Sequence, residues 1–124
     1  MKHYGLTIDL KDDPKLIAQY KAHHAEPWPE PLLGLREIGI LDMKIFLLGT
    51  RMFMYVTSTD EFVAERDFST YVERNPKAAE WDTLMRTFQQ QVPQARESEW
   101  WAEMDMVFDL EKHVYKWLKG EGIS

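Results

Sequence analysis

A chain of 124 residues with no cysteine has material for one domain with a real core, and it can form neither a disulfide framework nor a thiolate metal site. Its formal net charge of −6 gives no basic face for phosphate, which argues against nucleic acid or an anionic membrane as partner and suits a neutral ligand. No apolar run is long enough to span a bilayer, and charged residues interrupt the first dozen positions, so neither a membrane span nor a signal peptide is expected and the expected compartment is cytoplasmic.

The first ten residues alternate. Tyr4, Leu6, Ile8 and Leu10 face one way and His3, Gly5, Thr7 and Asp9 the other, as in a strand buried on one side. Asp12-Asp13-Pro14 then supplies an N-cap and a first-turn proline. In the helix that follows, Leu16, Tyr20 and His24 fall at four-residue steps with Ile17 beside them, while His23 is expected to point away from the core. Pro27, Pro29 and Pro31 break this helix, and a second restarts around Glu30. Leu32, Leu35 and Ile38 form its expected buried stripe, and Gly39 is its stop.

Strands are expected at about 42–48 and 52–57, joined as a hairpin through Gly49-Thr50. Ser58 with Glu61 has the pattern of a capping box, opening a short helix that contains Phe62 and Val63. Asn75-Pro76 starts another helix, on which Trp81, Leu84, Met85 and Phe88 share a face. The polar stretch from Gln89 to Ser98 reads as a loop. From Trp100 to Leu110 the chain alternates throughout and reads as one long strand. Val114, Trp117 and Leu118 then line one side of a short terminal helix that stops at Gly120.

The order β, α, β, β, α, β is the split βαβ, or ferredoxin-like, arrangement: an α+β fold with an antiparallel sheet and helices on one face, one domain over residues 1–124. The other face of such a sheet is bare. Its aromatic and methionine side chains are too apolar for solvent, so a homodimer packed sheet to sheet, a dimeric α+β barrel, is expected. An aromatic share of 13%, with five tryptophans, points likewise to a ring-lined pocket or a subunit interface.

Chemistry concentrates in His24-Ala25-Glu26-Pro27-Trp28-Pro29-Glu30. Imidazole exchanges protons near neutral pH. Tryptophan offers a flat wall to the apolar face of a sugar, and a carboxylate can hold its hydroxyls. Each residue also has a plainer reading. A histidine on an apolar helix face is ordinarily held by a backbone hydrogen bond, and Tyr20 by default is a core or interface phenol. Trp28 fits a hydrophobic staple and Glu30 a helix cap. Trp81 and Trp100 suit buried faces, and His3 and His113 show no functional pattern. Glu103, Asp105 and Asp109 form a solvated edge without the histidine spacing of a metal site, so no metal is expected.

Taken together, Tyr20-x-x-x-His24-x-x-x-Trp28-Pro29-Glu30, Gly39 before the second strand, Phe53 in the third and Trp81 with Met85 form a recognisable set. With Glu99-Trp100-Trp101-Ala102-Glu103-Met104 through Val107-Phe108-Asp109-Leu110, that set resembles the L-rhamnose mutarotase family, and within it the branch associated with L-fucose. The resemblance covers about residues 2–110 and leaves a C-terminal extension, about 111–124, unmatched. It implies a small dimeric α+β barrel that interconverts the α and β anomers of a free 6-deoxy sugar without metal or cofactor. It also implies that His24 is the catalytic acid/base, with Tyr20 beside it and Trp81 helping to hold the sugar; Trp28 and Glu30 join them as sugar-binding candidates from the residues themselves.

Two departures bear on the substrate. Rhamnose-type members of the family have a tyrosine where this chain has Met43, and paired tryptophans where it reads Trp81-Asp82. Both are sugar-contact positions, and both favour L-fucose over L-rhamnose. A cofactor-free monooxygenase or haem-degrading enzyme, and a ligand-sensing or assembling module, remain alternatives on the same barrel. The spacing from His24 to Trp28-Pro29-Glu30 favours the mutarotase, because an oxygenase has no need of that turn.

Overall fold

The computed structural model describes residues 1–118. In chain order the elements are β1 (Lys2–Leu10), α1 (Pro14–Ala25), α2 (Pro29–Glu37), β2 (Ile40–Leu48), β3 (Arg51–Ser58), α3 (Ala64–Arg74), α4 (Pro76–Arg86), β4 (Gln89–Gln90), β5 (Ala102–Met104) and α5 (Leu110–Leu118). The sheet runs β2-β3-β1-β4, with β5 also paired to β1, and every pairing is antiparallel. This is the ferredoxin-like α+β fold. Local chemistry sets its boundaries. The Asp13 carboxylate accepts from Lys15 N ahead of Pro14, Gly39 ends the turn after α2 at φ 102°, and Gly49 turns the β2–β3 hairpin at φ 62°.

The core lies between the sheet and α1–α4 and falls into two clusters. Ile8, Leu10, Met52, Tyr20, Met85 and Phe88 form one; Ile40, Val56 and Phe62 form the other, with Tyr4, Leu35 and Phe68 packed against it. Between them runs the cross-strand row Leu6–Met54–Ile45, in which Met54 pairs with both neighbours. All three residues are half-buried although Leu6 and Met54 sit on central strands. The helices therefore leave the middle of the sheet partly uncovered.

Four expectations need correction. The strand foreseen over residues 100–110 is a ladder only at Ala102–Met104. Continued backwards, the Thr7–Ala102 register would set Trp100 against Asp9, but Gln90 already pairs with Asp9, so that edge of β1 is taken. Beyond Met104 the chain leaves the sheet, with Val107 93% exposed. The capping box does not form either. Ser58 ends β3 fully buried, its hydroxyl donating to Thr59 O, and the helix begins only at Ala64, where the Asp67 carboxylate closes Val63 N instead. Phe62 is a core residue outside any helix.

Leu32 is exposed rather than part of a buried stripe, because Pro31 and Gly34 make the close contacts of α2. Finally, the polar loop begins as a two-residue strand whose Gln89 is buried. The end of the terminal helix foreseen at Gly120 lies outside the described residues.

Candidate active site

The last turn of α1 presents two adjacent histidines. His24 folds back so that Nδ1 donates to the carbonyl oxygen of Tyr20, 2.9 Å away. A carbonyl only accepts, so the proton of the neutral ring resides on Nδ1 and Nε2 keeps its lone pair. Among the described residues Nε2 makes no hydrogen bond. The ring is half-buried, and its pKa is lowered from 6.5 chiefly by that burial; the bond to Tyr20 opposes the shift and the neighbouring His23 adds to it. His24 is thus a neutral base with one free nitrogen.

Behind it, the Tyr20 ring stacks at 4.2 Å between centroids and 30° between planes. Tyr20 is only 4% exposed, and burial, partly offset by the Gln89 amide, pushes its phenol to about 12. The hydroxyl stays protonated at neutral pH. It serves as a hydrogen-bonding group and as the wall against which the imidazole rests.

Trp81, from α4, is the hub of the site. Its ring meets His24 at 5.5 Å, His23 at 6.1 Å and Trp28 at 5.1 Å, all edge to face. Trp28 is the N-cap residue of α2 and lies below the Lys77 ammonium at 5.5 Å. Glu30 is exposed in the first turn of α2 and forms no ion pair among the described residues. Its backbone carbonyl accepts from Asn75 Nδ2, while Asn75 Oδ1 accepts from Ala78 N and caps α4. One side chain therefore fastens the Trp28-Pro29-Glu30 turn to the start of the helix that bears Trp81.

The structure brings His24, Tyr20, Trp81 and Trp28 together; the Glu30 side chain is exposed in the first turn of α2 and makes no hydrogen bond with any of them among the described residues. His23 was expected to point outward. It is half-buried instead, its ring against Trp81 and, at 5.7 Å, Phe88. Sequence spacing had pointed neither to it nor to Gln89 and Asn75. Only Asn75 had a local signal, its N-cap position before Pro76. Of the two departures from the rhamnose-type pattern, Met43 is half-buried on the helix side of β2, and the Asp82 carboxylate accepts from Arg86 Nε at 2.9 Å. Hollows of about 500 and 750 Å³ lie elsewhere and are not lined by His24 or Trp81. Among the described residues, no group of three acidic or histidine side chains is placed to hold a metal, and no helix is long and apolar enough to cross a membrane.

Comparison with known proteins bears on this arrangement. A family model described as L-rhamnose mutarotase matches residues 3–110. A UPF0734 protein of Dictyostelium discoideum is 47% identical over 113 residues, covering 89% of this chain and 90% of the relative. The L-fucose mutarotase of Xanthomonas campestris pv. campestris is 33% identical over 120 residues, covering 92% of each. Among solved structures, the L-rhamnose mutarotase of Formosa agariphila superposes with a TM-score of 0.64 at 19% identity, covering 88% of this chain and 98% of that one. Tetracenomycin F2 cyclase from Streptomyces glaucescens gives the same TM-score at 16% identity, covering 88% and 96%. These two likenesses establish the fold.

Proposed function

Because this chain belongs to the L-rhamnose mutarotase family, a family of isomerases, we propose that it interconverts the anomers of a free 6-deoxyhexose, L-fucose ahead of L-rhamnose, with His24 as acid/base. The observation that carries this reading is the tethered Nδ1 of His24, which leaves a neutral, unengaged Nε2 beside an indole wall. Nε2 takes the proton from the anomeric hydroxyl O1 as the bond from C1 to the ring oxygen breaks. The electron pair of that bond goes to the ring oxygen, which collects a proton from solvent. The open aldehyde turns about the bond to C2. The ring oxygen then attacks the other face of C1 and gives up its proton, while imidazolium returns a proton to O1. No atoms are gained or lost, and general acid–base help of this kind supplies about 10²–10⁴-fold.

In this reading the paired rings of Trp81 and Trp28 pack on the C–H face and methyl of the sugar. Tyr20 orients the imidazole, and Glu30 is the exposed acceptor for an outer hydroxyl. The preference for L-fucose rests on Met43 and Asp82 and on the Xanthomonas relative.

The functional unit in this reading is a homodimer of single-domain chains, each with its extension beyond Leu110, acting in the cytoplasm. Its interface is the sheet face away from α1–α4, where Phe46, Leu48, Phe53 and Met104 are exposed. The charges there are already paired, Lys44 with Asp42 and Arg51 with Asp9. A two-fold contact sets like against like, so neutralised charges suit it.

Saturation-transfer proton NMR on L-fucose and L-rhamnose tests the activity. Faster anomeric exchange than in buffer is expected for both, fucose more so, and exchange no faster than buffer for either sugar would overturn the reading.

A further inference from the structure

The buried amide of Gln89 lies behind the site and outside the acid/base step. Its backbone is fixed, since β4 pairs Gln89 with Leu10, and Lys11 N donates to Phe88 O at 2.9 Å. The side-chain Oε1 accepts from Trp100 Nε1 at 2.7 Å, and Nε2 donates to the Tyr20 hydroxyl oxygen at 3.4 Å. An indole N–H can only donate, so the amide has one orientation open to it, with its NH₂ toward Tyr20. The Tyr20 oxygen is therefore an acceptor here. The far end is anchored too: the Arg86 guanidinium lies 4.8 Å over the Trp100 ring and is itself bound to Asp82.

We propose that Gln89, gripped by Trp100, is a positioning residue that locks Tyr20 behind the His24 imidazole and so keeps Nε2 turned toward the sugar. The claim rests on the reading of His24 as the acid/base. Tyr20 holds His24 twice, by its stacked ring and by its carbonyl, so tilting the phenol moves the imidazole. A buried amide is costly unless both its ends are satisfied, and both are satisfied here, by Tyr20 and Trp100. The linkage also gives Asp82 a part. The residue standing where rhamnose-type relatives place a tryptophan holds Arg86, which backs Trp100.

The test is a double-mutant cycle on catalysed anomer exchange, together with ¹⁵N spectra of His24. In a folded Gln89→Leu protein, kcat is expected to fall about ten-fold with KM held within about two-fold, because a misaligned proton carrier loses rate and not sugar contacts. Tyr20→Phe/Gln89→Leu should be no slower than Tyr20→Phe alone. The His24 nitrogen signals of Gln89→Leu should move from a pure Nδ1–H form toward a mixture of tautomers. Should Gln89→Leu fail to fold, Trp100→Phe removes the indole N–H that grips the amide while keeping an aromatic ring under Arg86, and is expected to give the same pattern.

An unchanged kcat, or losses that multiply in the double variant, would overturn the proposal. If wild-type protein accelerates no sugar, the activity reading fails by itself. The nitrogen spectra then still decide whether Gln89 sets the imidazole: unmoved signals sink the claim, and shifted ones uphold it.

Discussion

Trp28 and Trp81 meet edge to face with ring centroids 5.1 Å apart, joining the start of α2 to the middle of α4 beside His24. Such a pair contributes about 0.5–1.5 kcal/mol beyond the area it buries. Trp81 also touches both histidines, so Trp81→Ala removes the shared wall of the site. We expect a rise in KM of about ten-fold or more together with a fall in kcat, while Trp81→Phe keeps most activity. Steady-state exchange rates at several sugar concentrations check this; an unchanged KM in Trp81→Ala would remove Trp81 from the sugar site.

Burial holds the His24 pKa below 6.5. Its neutral, proton-accepting form therefore persists as the medium turns mildly acidic, and the acid limb of kcat/KM should lie below pH 6.5. His24→Ala should erase that limb along with about 10²–10⁴-fold of rate, leaving a folded protein. A limb above pH 6.5, or one that survives in the variant, would assign the titration to another group.

The same shift is a statement about stability. The folded state binds a proton at His24 less readily than the unfolded chain does, so the contribution is present in full above the unfolded value of about 6.5 and is lost as pH falls through the lower folded value. His24→Gln should flatten this part of the acid dependence, measured as the urea midpoint between pH 7 and pH 5. An equally steep dependence in the variant would contradict the assignment.

Gly34 lets α2 lie close on α3 and α4. A Cβ there would stand 2.7 Å from Tyr71 Cε1 and 2.8 Å from Asn75 Nδ2. Tyr71 is held in place by its hydroxyl, which donates to Pro31 O, so the ring has little freedom to retreat. Gly34→Ala should cost about 1–3 kcal/mol, as overpacking does, and should also loosen the Asn75 link to Glu30. A urea midpoint equal to wild type would show that the ring yields.

Phe46 and Phe53 stack at 6.3 Å on the open sheet face, and Leu48 beside them is 86% exposed. With Phe46→Asp the sheet-to-sheet contact would have to desolvate two new carboxylates, one from each copy. Sedimentation velocity is expected to report a dimer for the wild type and a monomer for the variant. Wild-type protein that sediments as a monomer would remove this interface.

What local chemistry decides could be read directly along the chain. The alternation of Tyr4, Leu6, Ile8 and Leu10, the Asp13-Pro14 and Asn75-Pro76 helix starts, and the positive φ taken up by Gly39 and Gly49 need only near neighbours to be understood. So does the face shared by Tyr20 and His24, since residues four apart on a helix lie on the same side. The stretch from Trp100 to Leu110 alternates as well as β1 does, yet pairs only over Ala102–Met104: a strand also needs a vacant edge, and Gln90 had taken the place opposite Asp9 that Trp100 would have filled, while after Met104 the chain leaves the sheet. Ser58 and Glu61 have the composition of a cap, but the backbone of Ser58 was already engaged in the ladder.

His23 and Gln89 show the limit most plainly. A helical period puts His23 off the core face, and Gln89 sits in a polar run; only the arrival of α4 and of Trp100, dozens of residues away for one and across a loop for the other, gave them ring and hydrogen-bond partners. The first strand, the hairpin turn, the Asp13 and Asn75 helix caps and the candidate base were thus determined by the sequence itself, through interactions a few residues in range. Which edges were free, which rings met and which amide was buried were decided by the tertiary structure, because those depend on segments competing for the same place.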